Sequence, residues 1–263
     1  MSRTGYKSWI TRKPSKQSIR KNEITEKIVE IHETSHQIYG APKITAILNK
    51  KGENISIRTV SKYMKEKDIR ACYIKPWVKT TINSDFSSKL KNVLKREFKV
   101  QKSNAVWVSD ITYIWTYDGF VYLATIMDLF NREIIAWDIS ASLCASSVVK
   151  CVNIAKSKRE YTEALILHMD RGIQYTCQEF YKVAQGIKLS YSEKGTPWDN
   201  AVIEAFHAII KREWLNRFKI ENIEHAKSLC FEYIEAFYNT VRIHGTCEYS
   251  SPMEYEKNMR ERS

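Results

Sequence analysis

Residues 104–140 read NAVWVSDITYIWTYDGFVYLATIMDLFNREIIAWDIS, and the fold is decided here. β-Branched and aromatic residues dominate the stretch, which two turn signals divide into three runs. Asp118-Gly119 is a strong hairpin pair, and Asn131-Arg132 turns the chain again. Three antiparallel strands in succession are therefore predicted. A helix follows at about residues 146–158, with Val148, Val149, Val152 and either Ile154 or Ala155 inward. Residues 164–170, ALILHMD, form a continuous apolar run ending in an acid, the pattern of a strand buried on both faces. Residues 176–186 are helical in pattern, 188–192 form a short strand, and a longer helix comes next. The order β-β-β-α-β-α-β-α predicts an α/β sheet with helices on its faces.

The longer helix lies in residues 192–214, SEKGTPWDNAVIEAFHAIIKREW. Asp199 or Asn200 is expected to cap its first turn. Val202, Ile203, Phe206, Ile209, Ile210 and Trp214 recur at spacings of three and four and form its apolar face. Asn200, Glu204, His207 or Ala208, and Lys211 fall on the other side. A solvated surface pair accounts for Glu204 and Lys211 as readily as chemistry does.

Acids in apolar surroundings are the unusual feature. Asp110 sits in the middle of a strand, Asp170 ends the buried run before Arg171-Gly172, and Glu204 rides the helix. Each alone fits a plainer role: a hydrogen-bond partner in the sheet, a turn residue, a surface acid. Three carboxylates converging on one spot would repel one another unless cations lay between them. The chemistry that wants such a set is two-metal phosphoryl transfer, with Mg²⁺ ions ~3.5–4 Å apart.

The 263-residue chain has a formal net charge of +12. Residues 1–99 hold 23 Lys and Arg against 9 Asp and Glu, whereas residues 100–263 hold 19 against 21. All the excess positive charge lies in the first third, which points that third toward a polyanion; a basic tail kept for solubility is the alternative. Residues 1–22 read as a basic arm, and a helix is expected from about Glu23, with Ile24, Ile28 and Ile31 on one face. His32 and His36 are four apart on it, but no paired cysteines accompany them and no zinc site is expected. Pro42 suits the first turn of a second helix, Gly52 ends it, and Ser56 caps a third. Arg58, Lys62 and Lys65 face outward from the third and Lys43 lies on the second, making residues 23–75 a helix-turn-helix-like DNA-binding segment. Residues 76–99 read as a basic linker and residues 100–263 as the catalytic domain with a C-terminal helical extension. There, Ile223, Ala226, Cys230, Tyr233 and Phe237 are expected to pack, and Arg242 and His244 to pair structurally. Six scattered cysteines without a Cys-x2-Cys pair suit a reducing compartment. No apolar run approaches the ~20 residues of a membrane span, so a cytoplasmic protein is expected.

VWVSDITYI, HMDRGIQYT and GTPWDNAVIEAF resemble the three catalytic blocks of the OrfB-type transposases of bacterial insertion sequences, relatives of the retroviral integrase core. The YG-x-P-K-I block at residues 39–44 is similar to the family's helix-turn-helix segment, and YNTVRIHGTCEYSSPMEYE (238–256) to its C-terminal signature. The resemblance implies an RNase H-like mixed sheet and Asp110, Asp170 and Glu204 as metal-binding catalytic acids. It implies two Mg²⁺ ions, with Mn²⁺ able to substitute, and cleavage of element ends followed by attack of the 3′-hydroxyl on target DNA. Lys211 is implied to lie near DNA, and Asn200 is suspected of orienting the site. Implied partners are double-stranded DNA (terminal repeats and target) and further copies of the chain, with the nucleoid as the place of action. The family's frameshifting implies that the chain acts fused to, or with, an upstream-frame helix-turn-helix protein. A nuclease that only hydrolyses and a non-catalytic DNA-binding regulator are the alternatives. Between Asp170 and Glu204 lie 33 residues, two fewer than the family's usual count, and a shortened connection rather than a displaced acid is expected.

Overall fold

The computed structural model describes residues 14–72 and 90–262, together with Arg3. They belong to two compact units, Met1–Tyr73 and Ile74–Ser263. The basic arm and most of the stretch read as a linker lie outside the described residues.

The first unit is all-helical. Helix α1 (Lys16–Thr34) starts ahead of the expected Glu23, because the Ser15 hydroxyl accepts the Ser18 N–H at 3.1 Å. Ile24, Ile28 and Ile31 are buried as the spacing requires. His36 lies past the helix end with φ +54°, while His32 Nδ1 sits 3.3 Å from the Tyr39 carbonyl oxygen, so the two rings do not share a helical face. Helix α2 (Ala41–Lys50) carries Pro42 in its first turn, and Gly52 beyond its end adopts φ +88°. Helix α3 (Ile57–Glu66) is capped by Ser56, whose hydroxyl accepts the Thr59 N–H at 3.2 Å. Ile44, Leu48, Val60 and Met64 close the core of this unit, while Arg58, Lys62 and Lys65 are exposed. Lys43, the candidate on α2, differs: its ammonium lies 4.7 Å from the Tyr39 ring centre and is shut off from solvent.

The second unit contains strands β1 (Val106–Thr116), β2 (Gly119–Asp128) and β3 (Ile134–Ser140), then helix α4 (Ala145–Lys158). Strand β4 (Ile166–Met169), helix α5 (Gln178–Val183), strand β5 (Lys188–Tyr191) and helix α6 (Ala201–Glu213) follow. Helix α7 (Ile223–Phe231) runs on into a π-helical stretch, Glu232–Tyr238, and helix α8 (Pro252–Glu261) comes last. The sheet order is β3-β2-β1-β4-β5, with β1–β2 and β2–β3 antiparallel and β1–β4 and β4–β5 parallel. This is the mixed, helix-flanked sheet that was expected, preceded by a small all-α segment.

Side chains alternate across a strand, and the two faces of β1 have different neighbours. Trp107 joins Ala124, Ile126, Leu167 and Met169 in a core covered by Val148, Cys151, Val152 and Ala155 of α4 and Phe180 of α5. Asp110 lies on the other face, where α6 packs against β1 through Ile203, Phe206 and Ile210. Residues 90–99, the end of the stretch read as a linker, are bonded into this unit: the Ser190 hydroxyl accepts the N–H groups of Val93 (2.9 Å) and Leu94 (3.0 Å).

Buried ion pairs tie the C-terminal helices to the sheet. Arg159 bonds both oxygens of Glu256 at 2.8 Å and also Glu133, and Asn131 donates to Glu256 at 2.6 Å. Arg242, as expected, pairs structurally, forking onto Glu213 at 2.6 and 2.7 Å beside the Tyr233 hydroxyl, which donates to Glu213 at 2.6 Å. No helix among the described residues is long and apolar enough to cross a membrane.

Asp128 ends β2 fully buried, accepting the N–H groups of Asn104 (2.8 Å) and Phe130 (2.9 Å). Burial pushes its carboxyl up to about 6, against the pull of those two N–H groups. The folded state therefore holds the Asp128 proton more tightly than the unfolded chain does. That contribution to stability is fully present below the unfolded pKa and is lost as pH rises through about 6. Relative to Asp128→Asn, the wild-type chain should lose on the order of 2 kcal/mol between pH 3.5 and pH 7. Urea denaturation of both proteins across that range checks it; parallel pH profiles would contradict it.

Candidate active site

β1 is the middle strand of the sheet, and Asp110 stands just beyond the stretch of it that is paired on both edges. Its cross-strand partner is Thr125 of β2. The imidazole of His207, on α6, reaches both: Nδ1 lies 3.3 Å from Asp110 Oδ2 and Nε2 lies 2.8 Å from Thr125 Oγ1. On the other face of β1, Ser109 Oγ is 3.0 Å from the buried Tyr175 hydroxyl, which fixes the backbone on which Asp110 stands.

Asp170 follows directly on β4, whose parallel pairing with β1 sets Val108 opposite His168. Its Oδ1 accepts the Gly172 N–H at 2.9 Å. A Cβ on Gly172 would lie 3.0 Å from that Oδ1 and 2.9 Å from Gln174 Oε1, so any larger residue here would press on the Asp170 carboxylate and displace the Gln174 amide. Asp170 is exposed where the chain leaves β4. Even so, the protein packed around it, then the charge of Asp110, and further the charge of Glu204, push its carboxyl up to about 6 against the pull of the Gly172 N–H. The three acids singled out in the sequence thus lie within electrostatic reach at Asp170.

Helix α6 brings Glu204, His207 and Lys211 together on successive turns. The approach to it differs from the expected cap. A 3₁₀ turn, Pro197–Asn200, leads into the helix, and neither Asp199 nor Asn200 makes a side-chain capping bond. Asp199 is instead 1% exposed, and its Oδ2 accepts from Asn92 Nδ2 (2.9 Å) and the Glu193 N–H (2.8 Å). Its Oδ1 accepts from Arg96 Nε at 2.6 Å. Asn200 donates to the Ser109 carbonyl at 3.3 Å, tying the start of α6 to β1 beside Asp110. Its Oδ1 is buried with no hydrogen-bond partner. A buried carbonyl oxygen without a donor is costly, and it is left as an acceptor at the site.

Lys211 is not a freely solvated surface cation. Its Nζ stands 4.2 Å from the Tyr113 ring centre, and burial pushes its pKa down to about 8 while the charge of Asp110 opposes that shift. Arg58, Lys62, Lys65 and Lys43 belong to the first unit.

The donor set suits a hard divalent cation: carboxylate oxygens of like charge, one of them holding its proton more tightly because of burial and, after that, because of the others. Among the described residues, no three His, Cys, Asp or Glu side chains surround one point closely enough to hold a metal ion. The fit is therefore one of donor chemistry, with Asp110 drawn toward His207. The sequence reading left His207 and Ala208 as alternatives on the same stripe; the register of α6 against β1 selects His207. Arg96, Asn92, Thr125 and Tyr175 carried no signal as site neighbours, because each acts through a partner 15 to 107 residues away.

Comparison with known proteins gives two matches to the integrase core domain, at residues 100–197 and 185–252, and one to an HTH-like domain at residues 20–76. The chain is 34% identical over 248 residues to the transposase for insertion sequence element IS904 of Lactococcus lactis, covering 94% of this chain and 98% of that protein. It is 31% identical to an uncharacterized 31 kDa protein of insertion element IS600 of Shigella sonnei, covering 98% of this chain and 95% of that one. It is 29% identical to the transposase InsF for insertion sequence IS3A of Escherichia coli, covering 98% and 92%. Among solved structures it is similar to the catalytic core domain of BIV integrase, at 18% identity, covering 60% of this chain and 97% of that one, with a TM-score of 0.44.

The Asp199 anchor yields a measurable expectation. Asp199→Ala removes three bonds to a buried carboxylate and should cost about 2–3 kcal/mol in denaturant unfolding. Amide exchange at residues 193–200 should rise more than exchange in β1; a change spread evenly over the unit would argue against a local anchor.

Proposed function

The chain belongs to the insertion-sequence transposases with an integrase core domain, and from that premise we propose that Asp110, Asp170 and Glu204 are the catalytic acids of its DNA breakage and joining reactions. The observation that supports this reading is the placement of the three acids: Asp110 on β1, Asp170 directly after the neighbouring parallel strand β4, and Glu204 on the helix that packs against β1, with burial first and then the charges of Asp110 and Glu204 raising the Asp170 carboxyl. Like charges gathered in one pocket serve no packing purpose, and a cation between them turns their repulsion into binding. When bound, two Mg²⁺ ions supply activation of the attacking oxygen and stabilisation of the leaving oxygen, and Mn²⁺ substitutes.

The chain's own residues supply the rest. Asp110 and Asp170, on adjacent parallel strands, and Glu204, on the helix that covers them, hold the cations. The unpartnered Asn200 Oδ1 faces the reacting groups as an acceptor. Lys211, still mostly charged at neutral pH, supplies a cation near the carboxylates for a phosphate. The reaction is hydrolysis at the element end, followed by attack of the freed 3′-hydroxyl on a target phosphodiester. The exposed cations Arg58, Lys62 and Lys65 of α3 contact double-stranded DNA at the terminal repeats. Lys43 has a smaller share, its ammonium being held over Tyr39. Several copies assemble on the paired ends at the nucleoid, and an upstream-frame helix-turn-helix protein joins this chain in the family's usual fusion.

Glu204→Gln should lower end cleavage and strand transfer by at least 10³-fold in Mg²⁺, with melting temperature and DNA affinity within twofold of wild type. An oligonucleotide with an uncut element end reads cleavage, and one with a recessed 3′-hydroxyl reads strand transfer; retained activity would remove Glu204 from the triad. Replacing Arg58, Lys62 and Lys65 together with Ala should lower DNA affinity and reduce the slope of log K against log salt by about 3, near 0.9 per lost phosphate contact. Fluorescence anisotropy at several salt concentrations measures it, and an unchanged slope would place the phosphate contacts elsewhere.

A further inference from the structure

The imidazole of His207 is buried between two strands and spans two groups that differ in kind. Nδ1 is 3.3 Å from the carboxylate oxygen Asp110 Oδ2, and Nε2 is 2.8 Å from the hydroxyl oxygen Thr125 Oγ1. Thr125 Oγ1 is also 3.5 Å from the backbone carbonyl of Asp110, its cross-strand partner. A bare nitrogen lone pair facing a carboxylate would repel it, so Nδ1 carries a proton and points it at Oδ2. Nε2 then meets a hydroxyl able either to donate or to accept, which satisfies the ring. The three residues come from β1, β2 and α6, and Glu204 stands one turn before His207 on the same helix.

We propose that His207 is a positioning residue that orients the Asp110 carboxylate for a cation. It holds Oδ2 of Asp110 with its Nδ1–H and is itself held from behind by Thr125. The inference rests on the reading of Asp110 as a metal ligand. Three features support it. The ring is buried, with its reach fixed by α6 and by the neighbouring Phe206 ring at 5.7 Å between centroids. Both nitrogens have partners, so the imidazole has one orientation. The group it holds belongs to the site, whereas a histidine that only filled space would have no need of a carboxylate. One oxygen of Asp110 is thereby committed to the protein and the other is left to face the pocket. A ligating carboxylate that is itself hydrogen-bonded gains orientation, and loss of such outer partners typically costs 10–100-fold in metal affinity.

Side-chain geometry supplies a discriminating pair of variants. The amide nitrogen of Asn can occupy the place of a histidine Nδ1, whereas that of Gln can occupy the place of Nε2. His207→Asn should therefore keep the donor to Asp110 and bind Mn²⁺ within about threefold of wild type. His207→Gln, which reaches Thr125 but not Asp110, should bind 10–100-fold more weakly, and so should His207→Phe. The measurement is isothermal titration of the full-length protein with Mn²⁺, with the metal-free melting temperature recorded for each variant. At saturating Mn²⁺ the kcat for strand transfer by His207→Gln should recover to within about fivefold, since position is weakened and no reacting group is removed. Should His207→Phe fail to fold, Thr125→Val is the second probe: it removes the support behind the ring and should weaken Mn²⁺ binding in the same direction by a smaller factor. Equal Mn²⁺ affinity across Asn, Gln and wild type, with Asp110→Asn markedly weaker, would overturn the role of His207 and leave Asp110 as a ligand. Unchanged affinity in Asp110→Asn would overturn the ligand reading itself.

Discussion

β1 is paired antiparallel to β2 on one edge and parallel to β4 on the other, and the rest of the second unit depends on that double pairing. The strand is paired on both edges over Val106–Val108 and continues on β2 alone through Asp110, so the acid stands just beyond the doubly paired stretch. An ionisable group can remain there only if the face it occupies is kept polar. Thr125, His207, Asn200 and Lys211 do this around Asp110, while Trp107 and Ile111 on the alternate face stay in the apolar core. Strand alternation is thus what separates a packing face from a chemical face.

The second carboxylate follows from the same pairing. Because β4 is parallel to β1, its C-terminal end opens beside the middle of β1, and the residue that leaves it, Asp170, emerges near Asp110. Gly172 lets the chain turn close under that carboxylate without a Cβ in the way. The third acid is held less directly. Helix α6 is secured at its start by Asp199 and Asn200 and near its end by Glu213, which binds Arg242 and the Tyr233 hydroxyl from the C-terminal layer. The C-terminal helices therefore contribute to the site by fixing the helix that carries Glu204.

Much of this was legible in local pattern. Asp118-Gly119 and Asn131-Arg132 mark their turns wherever they occur, because backbone preference there does not wait for tertiary contacts. Ser56 and Pro42 mark helix starts for the same reason. The reading failed where a side chain had a distant competitor for its usual local partner. Asp199 and Asn200 have the right chemistry to cap α6, yet Arg96, Asn92 and the Ser109 carbonyl take their polar atoms instead. Helix α1 starts ahead of Glu23 because Ser15, which lies before the apolar periodicity, caps it. Lys43, a candidate DNA contact on the second helix, has its ammonium over the ring of Tyr39 instead, a contact between side chains that the spacing does not record.

By itself the sequence determined the alternation of strands and helices, the polar or apolar character of each face, and the presence of three acids where apolar residues would be expected. These follow from composition and period, which act over a few residues. Only the tertiary structure decided that the acids share one electrostatic environment, that residues 90–99 bind the approach to α6, and that His207 rather than its neighbour meets Asp110. Those outcomes depend on strand register and on the rotation of one helix against a sheet. A shift of one residue in either would present a different side chain, and no local pattern records that choice.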